Sequence, residues 1–579
     1  MDAILGAMPI LARSTHRRRV GAIGSVVVLL AGACGPSATR APSATVPQSV
    51  APSAAPSCAP GSDMAPATHW WDGRVFYEVF VRSFADSDGD GIGDLRGLAS
   101  RLDSLNDGNP ATTTDLGITG LWLMPVAESP SYHGYDVTDY RTVERDYGTS
   151  ADFRALVAAA HDRGINVVID FVANHTSRDH PWFRDSEKSG SEHDDWYVWS
   201  PTDPGYGGPD GQQVWHRDAN GRFYYGVFGD GLPDLNLRNP AVTSELESVA
   251  AFWLRDMGVD GFRLDAAKHL IEDGERQTNT TATMAWLAAF RDDAHDTSGD
   301  VLVLGEVWEP RAVTSKYVAL GVLDMVFDFE IGGAILSSVR LGDAGTLKAA
   351  ARELAARYPS GSVATFLSNH DQPRFITQLS DDVAGAKAAA GALLLGPGVP
   401  FVYYGEELGM SGTKPDERIR TPYPWTADGP GHGFTSGKPW EAFADGAATA
   451  NVATERADPG SLLSTYRDLV RLRTAHPALA GGSVVPLEGS SRTVAAFLRR
   501  GGGETLLVIH ALSKEPVSGV TLDLPAGSLC GSPAGAVLYG PVGAPPSVAP
   551  PVAGPAGEAK AWAVPTLPAR STWVIRVSP

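Results

Sequence analysis

Eight short apolar segments, spread between residues 75 and 407, set the tightest limit on what this chain can fold into. They are 75–84 (VFYEVFVRSF), 118–126 (ITGLWLMPV), 165–175 (INVVIDFVANH), 259–267 (VDGFRLDAA), 301–308 (VLVLGEVW), 324–331 (DMVFDFEI), 363–371 (VATFLSNHD) and 399–407 (VPFVYYGEE). Between several of them lie Ala- and Leu-rich helical stretches, such as ADFRALVAAAHDRG and AGAKAAAGALLLG. Near-continuous apolar strands alternating with helices belong to a parallel sheet covered on both faces. Eight such units predict a closed (β/α)₈ TIM barrel.

Two regions depart from a plain barrel. Residues 176–236, after the third strand, are rich in Trp, Tyr, Gly and Asp and read as an inserted lobe. From about residue 485 the pattern becomes short alternating strands with Gly and Pro turns, ending STWVIRVS, which predicts a C-terminal all-β domain of sandwich type. The expected organisation is a barrel in two parts, 67–175 and 237–484, around an inserted domain at 176–236, with the β domain at 485–579.

The amino terminus reads as an export signal. Arg17, Arg18 and Arg19 precede an apolar run from Val20 to Leu30, and the small residues AGACG follow. Such a run is too short to span a bilayer as a mature helix. Cys34, directly after the small residues, resembles the lipidation site of bacterial lipoproteins, with plain secretion as the alternative. Residues 1–34 are then signal and anchor, and the Ala-, Pro- and Ser-rich residues 35–66 a disordered tether. Cys58 and Cys530 remain; export permits a disulfide between them, and two separate thiols are the alternative. The net charge of −20 argues against nucleic acid and anionic membrane surfaces as partners and is compatible with a neutral substrate. Any membrane contact is expected through the lipid anchor alone, and nothing points to a homo-oligomer.

One strand poses a chemical question. GFRLDAAKH (261–269) sets Arg263 and Asp265 two residues apart, which in a strand places both on one face, inside the barrel. Polar residues belong at the C-terminal ends of barrel strands, where active sites form, and are expensive in mid-strand. They gather at several such ends: Asp170, Asn174 and His175 after the third segment, Arg263, Asp265, Lys268 and His269 after the fourth, Glu306 after the fifth, His370 and Asp371 after the seventh. One acid at a barrel rim is commonly a salt-bridged structural residue; three at equivalent strand ends point to chemistry. Two carboxylates with differently tuned pKa values are what cleavage of a glycosidic bond needs. Arg263 is expected to keep Asp265 ionised, as suits a nucleophile, whereas Glu306, between Gly305 and Val307–Trp308, sits in apolar company that would hold its proton for a general acid.

At these residues the chain resembles the α-amylase family of glycoside hydrolases. The family's four signature regions occur in order as DFVANH, GFRLDAAKH, GEVW and FLSNHD, with a further one as LPDLN (232–236). The resemblance spans roughly residues 70 to 579. It implies Asp265 as nucleophile, Glu306 as acid/base, Asp371 as a third carboxylate gripping sugar hydroxyls, and Arg263, His175 and His370 around the cleaved sugar, in a retaining reaction without an organic cofactor. Within YHGYD (132–136), Tyr135 resembles the tyrosine that stacks under that sugar and His133 a neighbouring hydroxyl contact. Asp170 and Lys268 join the expected substrate-binding set.

DSDGDGIGD (86–94) places acids at positions 1, 3, 5 and 9 around a Gly at 6, which suits Ca²⁺; Gly97 stands where an EF-hand would have its Glu. The expected ligands are Asp86, Asp88, Asp90, Asp94 and the Ile92 carbonyl, with a structural role. A second Ca²⁺ is implied by the resemblance alone, at Asn174, Asp234 and the carbonyl of His269.

The leading function is hydrolysis of α-1,4-glucans. Alternatives are an exo-acting α-glucosidase or transglycosylase of the same clan, and a non-catalytic glucan-binding lipoprotein, against which the intact trio of acids speaks. Exo-acting relatives carry an Asp three residues before the stacking tyrosine; here that position is Tyr132, which favours internal cleavage. RIRTPYPW (418–425) pulls the other way, because Arg420 resembles the arginine that partners the missing Asp.

Overall fold

The computed structural model describes residues 69–578, with 526–527, 530–533, 546 and 554–558 excepted. The expected signal and tether, and Cys34, Cys58 and Cys530, lie outside the described residues. Among the described residues no helix is long and apolar enough to cross a membrane.

Eight parallel strands close into a barrel. They are β1 (Phe76–Val79), β2 (Gly120–Leu123), β3 (Asn166–Phe171) and β4 (Gly261–Leu264). β5 (Leu302–Gly305), β6 (Met325–Phe327), β7 (Val363–Thr365) and β8 (Val399–Tyr403) complete the ring, and β8 pairs with β1. Each predicted segment supplies one strand, but the strands stop early, because the polar C-terminal ends of the segments leave the sheet to form the barrel mouth. Between strands, helices start on side-chain caps: Thr149 and Asp152 form a reciprocal capping box before Ser150–His161, and Asn239 caps Pro240–Arg255.

The barrel interior is an aromatic plug. Phe76, Trp122, Phe327, Phe366 and Phe401 are buried with Val168, Leu302, Leu304 and Met325, and Phe76 stacks on Phe401 at 4.4 Å. On β4, Phe262 and Leu264 pack in the layer shared with the helices, whereas Arg263 lies beside Asp170 of β3 in register. The polar residues therefore rest on an apolar floor that excludes water from below.

Between β3 and β4, three short antiparallel strands, Trp199–Ser200, Trp215–Arg217 and Phe223–Tyr225, form a small sheet. A bridge between His175 and Asp234 ties this segment to the end of β3. After the barrel, antiparallel strands run from Ser483 to Ser578. Strand Ser483–Gly489 joins two halves of this domain, pairing first with Val494–Gly501 and then with Thr521–Asp523. The halves share a core that includes Leu498, Leu507, Leu522, Trp562, Trp573 and Ile575, a sandwich-type arrangement.

Two buried arginines sit at the barrel base, Arg473 on the helix Leu462–Ala475 and Arg499 on the C-terminal domain's strand Val494–Gly501. Arg473 donates to the carbonyls of Leu394 (2.7 Å), Gly398 (2.6 Å) and Ala480 (3.0 Å). Arg499 donates to those of Leu395 (2.9 Å), Ala478 (3.2 Å) and Leu479 (2.7 Å). Several of these are the orphan carbonyls that end the helix Val383–Leu394. A cavity of about 340 Å³ adjoins Arg499, lined by Tyr358, Gly398, Val399 and Val484; among the described residues no carboxylate or histidine lines it.

Candidate active site

Arg263 is the hub of the barrel mouth. It is 1% exposed, and its Nη1 donates to Asp170 Oδ1 and to Asp265 Oδ1, each at 2.7 Å. Its Nη2 lies 2.8 Å from Glu306 Oε2. This answers the question raised by β4: the arginine is tolerated inside because three carboxylates from three strands surround it. It also corrects the expectation that Arg263 singles out Asp265 while Glu306 sits in apolar company. Both acids rest on the same guanidinium. Burial pushes both carboxyls up and Arg263 opposes it in each case. Asp170 is pushed up to about 7 by burial, again against Arg263.

The backbone makes this convergence possible. Ala266, directly after Asp265, takes φ of +49°, a left-handed conformation that a non-glycine residue adopts only under constraint. The turn aims the Ala266 N–H at Glu306 Oε2 (3.0 Å). With Oε2 accepting from both Arg263 and Ala266, Oε1 is left as the oxygen of Glu306 able to carry a transferable proton.

Across the mouth, His370 is held between two acids. Its Nδ1 lies 2.6 Å from Glu78 Oε1 and its Nε2 3.2 Å from Asp371 Oδ2. Burial alone would lower its pKa, but the two carboxylates raise it to about 9, so the ring is a cation at neutral pH. Burial likewise would raise Asp371, and it is overruled by His370 and Arg420, which hold the carboxyl far below the usual range. Tyr135 bridges the two halves of the site: its hydroxyl donates to Asp170 Oδ2 (3.0 Å) and contacts His370 Nε2 (2.7 Å). His133 stacks beside Tyr135, and burial lowers its pKa. His175 is buried and neutral, its pKa lowered to about 4 by burial.

Arg420 is not the partnerless arginine that the sequence suggested. Its Nη2 lies 3.1 Å from Asp371 Oδ1 and 3.3 Å from Asp416 Oδ2, and Asp416 also pairs with Lys414. Tyr132 stands at the rim, stacked on Trp440 at 5.4 Å. Lys268 points outward, donating to the Trp308 carbonyl (2.9 Å) and Glu309 Oε1 (3.2 Å) rather than to the three acids.

Glu78, Trp122 and Asp416 are site residues that sequence reasoning missed. The signal for Glu78 was present: an acid inside the apolar run VFYEVF of β1, as anomalous as Arg263 in β4. Trp122 had no such signal; it places its ring edge-on to His370 at 5.6 Å.

The acidic loop after β1 brings together Asp86, Asp88 and Asp94, one oxygen of each within 4.8 Å of the others. Converging hard oxygen donors of like charge fit Ca²⁺. Asp90 stands outside that group, and its Oδ1 accepts the Ile92 N–H at 2.7 Å. Asp94 also caps the following helix, accepting from Gly97 N. The loop is packed too tightly for a side chain at Gly91, where a Cβ would meet the Lys438 carbonyl. At the second position, Asn174 Nδ2 donates to Asp234 Oδ2 at 3.0 Å, and Asn174 Oδ1 is buried with no hydrogen-bond partner among the described residues. Burial pushes the Asp234 carboxyl well above its usual range. An orphaned amide oxygen beside a buried carboxyl is a donor set that a hard cation completes. His269 packs edge-on against Phe228, whose ring also meets His175, and burial lowers its pKa to about 3.

A barrel with three acids converging on one buried arginine has the architecture of a glycoside hydrolase, and comparison with known proteins agrees. Residues 78–482 match the alpha amylase catalytic domain. The chain belongs to the α-amylase family. It is 38% identical over 452 residues to Alpha-amylase 3 of Dictyoglomus thermophilum, covering 77% of this chain and 86% of that one. It is 32% identical over 531 residues to an oligo-1,6-glucosidase of Parageobacillus thermoglucosidasius, covering 77% and 91%. Among solved structures, an alpha-amylase from H. orenii superposes with a TM-score of 0.75 at 38% identity, over 88% of this chain and 100% of that one.

Proposed function

We propose that this glycoside hydrolase is a retaining, endo-acting α-amylase that cuts internal α-1,4 bonds of starch and related glucans. Asp265 attacks the anomeric carbon and forms a glycosyl ester, while Glu306 gives its proton from Oε1 to the departing oxygen. Glu306 then takes a proton from water, which cleaves the ester and restores the starting configuration. Two carboxylates held by the two terminal nitrogens of one guanidinium stand close together, as retention requires. Both Asp170 oxygens accept hydrogen bonds, from Arg263 and Tyr135, so the proton that burial retains in this cluster belongs on Glu306. Asp371, kept ionised by His370 and Arg420, accepts hydrogen bonds from sugar hydroxyls, and Tyr135 supplies a ring face for the sugar's C–H surface.

The endo reading is carried by Tyr132, which stands against Trp440 at the rim where a chain-end carboxylate would close the groove. The 38% identity to an α-amylase, against 32% to the oligo-1,6-glucosidase, supports it. One observation favours the exo-acting alternative: Arg420 has a carboxylate partner in Asp416. A time course on starch separates the two. Endo action lowers viscosity and iodine staining before reducing ends accumulate; glucose as the sole early product, with end-blocked oligosaccharides untouched, overturns it.

Ca²⁺ bound by Asp86, Asp88 and Asp94, and a second ion at Asn174 and Asp234, would act as structural cross-links of the β1 loop and of the segment between β3 and β4. Export and anchoring through Cys34 complete the proposal and rest on the amino-terminal sequence. Replacing Cys34 by Ala should move the protein from the membrane fraction to the soluble one.

A further inference from the structure

Arg420 sits in a short stretch, residues 419–421, that belongs to no helix or strand. Ile419, Arg420 and Thr421 are nevertheless all buried. Buried carbonyls without a ladder need donors from elsewhere, and here side chains supply them to successive residues. The Ile419 carbonyl accepts from the Tyr403 hydroxyl (3.0 Å) and from Arg374 Nε (3.0 Å). The Arg420 carbonyl accepts from Ser83 Oγ, and the Thr421 carbonyl from the Tyr404 hydroxyl (2.9 Å).

The donors are themselves fixed. Tyr403 ends β8, and Arg374 Cζ lies 4.1 Å from its ring centroid and 4.7 Å from that of Tyr404. Arg374 Nη1 donates to the Tyr404 carbonyl, and the Arg374 backbone N–H to the Gly412 carbonyl (3.0 Å). Ser83 Oγ accepts from Trp440 Nε1 at 3.1 Å, which turns its own proton toward the Arg420 carbonyl.

A reciprocal pattern ties this stretch to the loop after β7. Arg420 Nε donates at 3.0 Å to the carbonyl of His370, the residue before Asp371. Arg374, just past Asp371, donates to the carbonyl of Ile419, the residue before Arg420. Each arginine thus holds the backbone immediately before the other loop's functional side chain. The contact of Arg420 Nη2 with Asp371 Oδ1 stands between these two bonds. A charged group that must meet a transition state works best when its surroundings hold it in place beforehand.

We infer that Ser83, Arg374 and Tyr403 are positioning residues: they fix the main chain beneath Arg420, and through Arg420 they set the Asp371 carboxylate where it meets sugar hydroxyls. The inference rests on the proposed role of Asp371. All three side chains are fully buried, so they act without touching the substrate.

Ser83→Ala, Arg374→Lys and Tyr403→Phe, each made in the parent and in an Arg420→Gln background, test this on maltoheptaose. In the parent each should lower kcat roughly tenfold or more, since small displacements of catalytic groups cost up to about 10²-fold, with KM within about twofold. In the Arg420→Gln background the same changes should alter kcat by less than about twofold, because the group they hold is gone. Residues that only maintain the fold would cost the same factor in both backgrounds; that result, or no loss in the parent, overturns the inference. Tyr403→Phe, which removes one oxygen and keeps the ring, decides the matter where Arg374→Lys does not fold. Asp371→Asn keeps the two claims apart. Normal turnover by that variant overturns the role of Asp371 and this inference with it, whereas an inactive Asp371→Asn beside equal losses in both backgrounds overturns the inference alone.

Discussion

Two pairs of buried arginines, at opposite ends of the barrel, show how differently one kind of residue can be used. At the mouth, Arg263 and Arg420 meet carboxylates: Asp170, Asp265 and Glu306 around the first, Asp371 and Asp416 around the second. At the base, Arg473 and Arg499 meet backbone carbonyls, and no carboxylate among the described residues pairs with either. Burial lowers both basal arginines, Arg499 to about 10, whereas the acids around them raise both arginines at the mouth. Carbonyls cannot exchange protons, so the basal pair only fastens: Arg473 ties the barrel's last helices together and Arg499 holds the C-terminal domain against them. Carboxylates share and transfer protons, and the pair at the mouth organises groups that can react. A buried charge is therefore read by what surrounds it.

The largest effect should follow from removing an acid at the mouth. Asp265→Asn is expected to lower kcat on starch by roughly 10⁴-fold or more, the scale seen when covalent enzymes lose their nucleophile, with the thermal midpoint nearly unchanged. A loss below about tenfold would remove Asp265 from that role.

The base should behave in the opposite way. Arg499→Leu strands several buried carbonyls, each worth about 1–3 kcal/mol of lost satisfaction. Stability in urea should fall by several kcal/mol, while kcat of the remaining folded enzyme stays within about twofold. Loss of kcat in folded protein would show that the two ends are coupled.

Chelation addresses the acidic loop and the Asn174–Asp234 pair. Calcium at about 100 times its Kd would add about 3 kcal/mol to stability, so EDTA should lower the thermal midpoint by several degrees and added Ca²⁺ should restore it. Asp86→Asn should reduce that response; a midpoint indifferent to EDTA would argue against calcium.

The smallest expected effect is a slope with pH. The pKa of His370 is raised from 6.5 to about 9 in the folded protein, so the stability it contributes is complete below about pH 6.5 and is lost as pH rises through about 9. The thermal midpoint should decline across that window, and His370→Gln should flatten the decline. An unchanged slope in the variant would show that the imidazole is not held as a cation.

Much of this was legible in the sequence because it is local. The strands announce themselves as apolar runs, and Asp265, Glu306 and Asp371 lie in short signatures whose residues are adjacent in the chain. What was hidden is pairing at a distance. Glu78 reaches His370 across 292 positions, and nothing near Glu78 names its partner. Glu306 has apolar neighbours in sequence, and burial does raise its pKa as that company suggests, but the Arg263 it meets in space, which opposes the rise, was not legible from its neighbours along the chain. Asp90 fits the spacing of a calcium loop, but the fold brings only Asp86, Asp88 and Asp94, among the described residues, within 4.8 Å of one another.

The central claim is that Asp265 forms a covalent bond to the sugar while Glu306 moves the protons. Glu306→Gln with maltotriosyl fluoride tests both parts at once. Fluoride needs no acid to depart, so the ester forms, and without a base to activate water it persists. Mass spectrometry should find the intact protein heavier by one maltotriosyl group, and peptide mapping should place that group on Asp265, within residues 261–269. An adduct on another residue, or none while fluoride is still released from the substrate, would contradict the account.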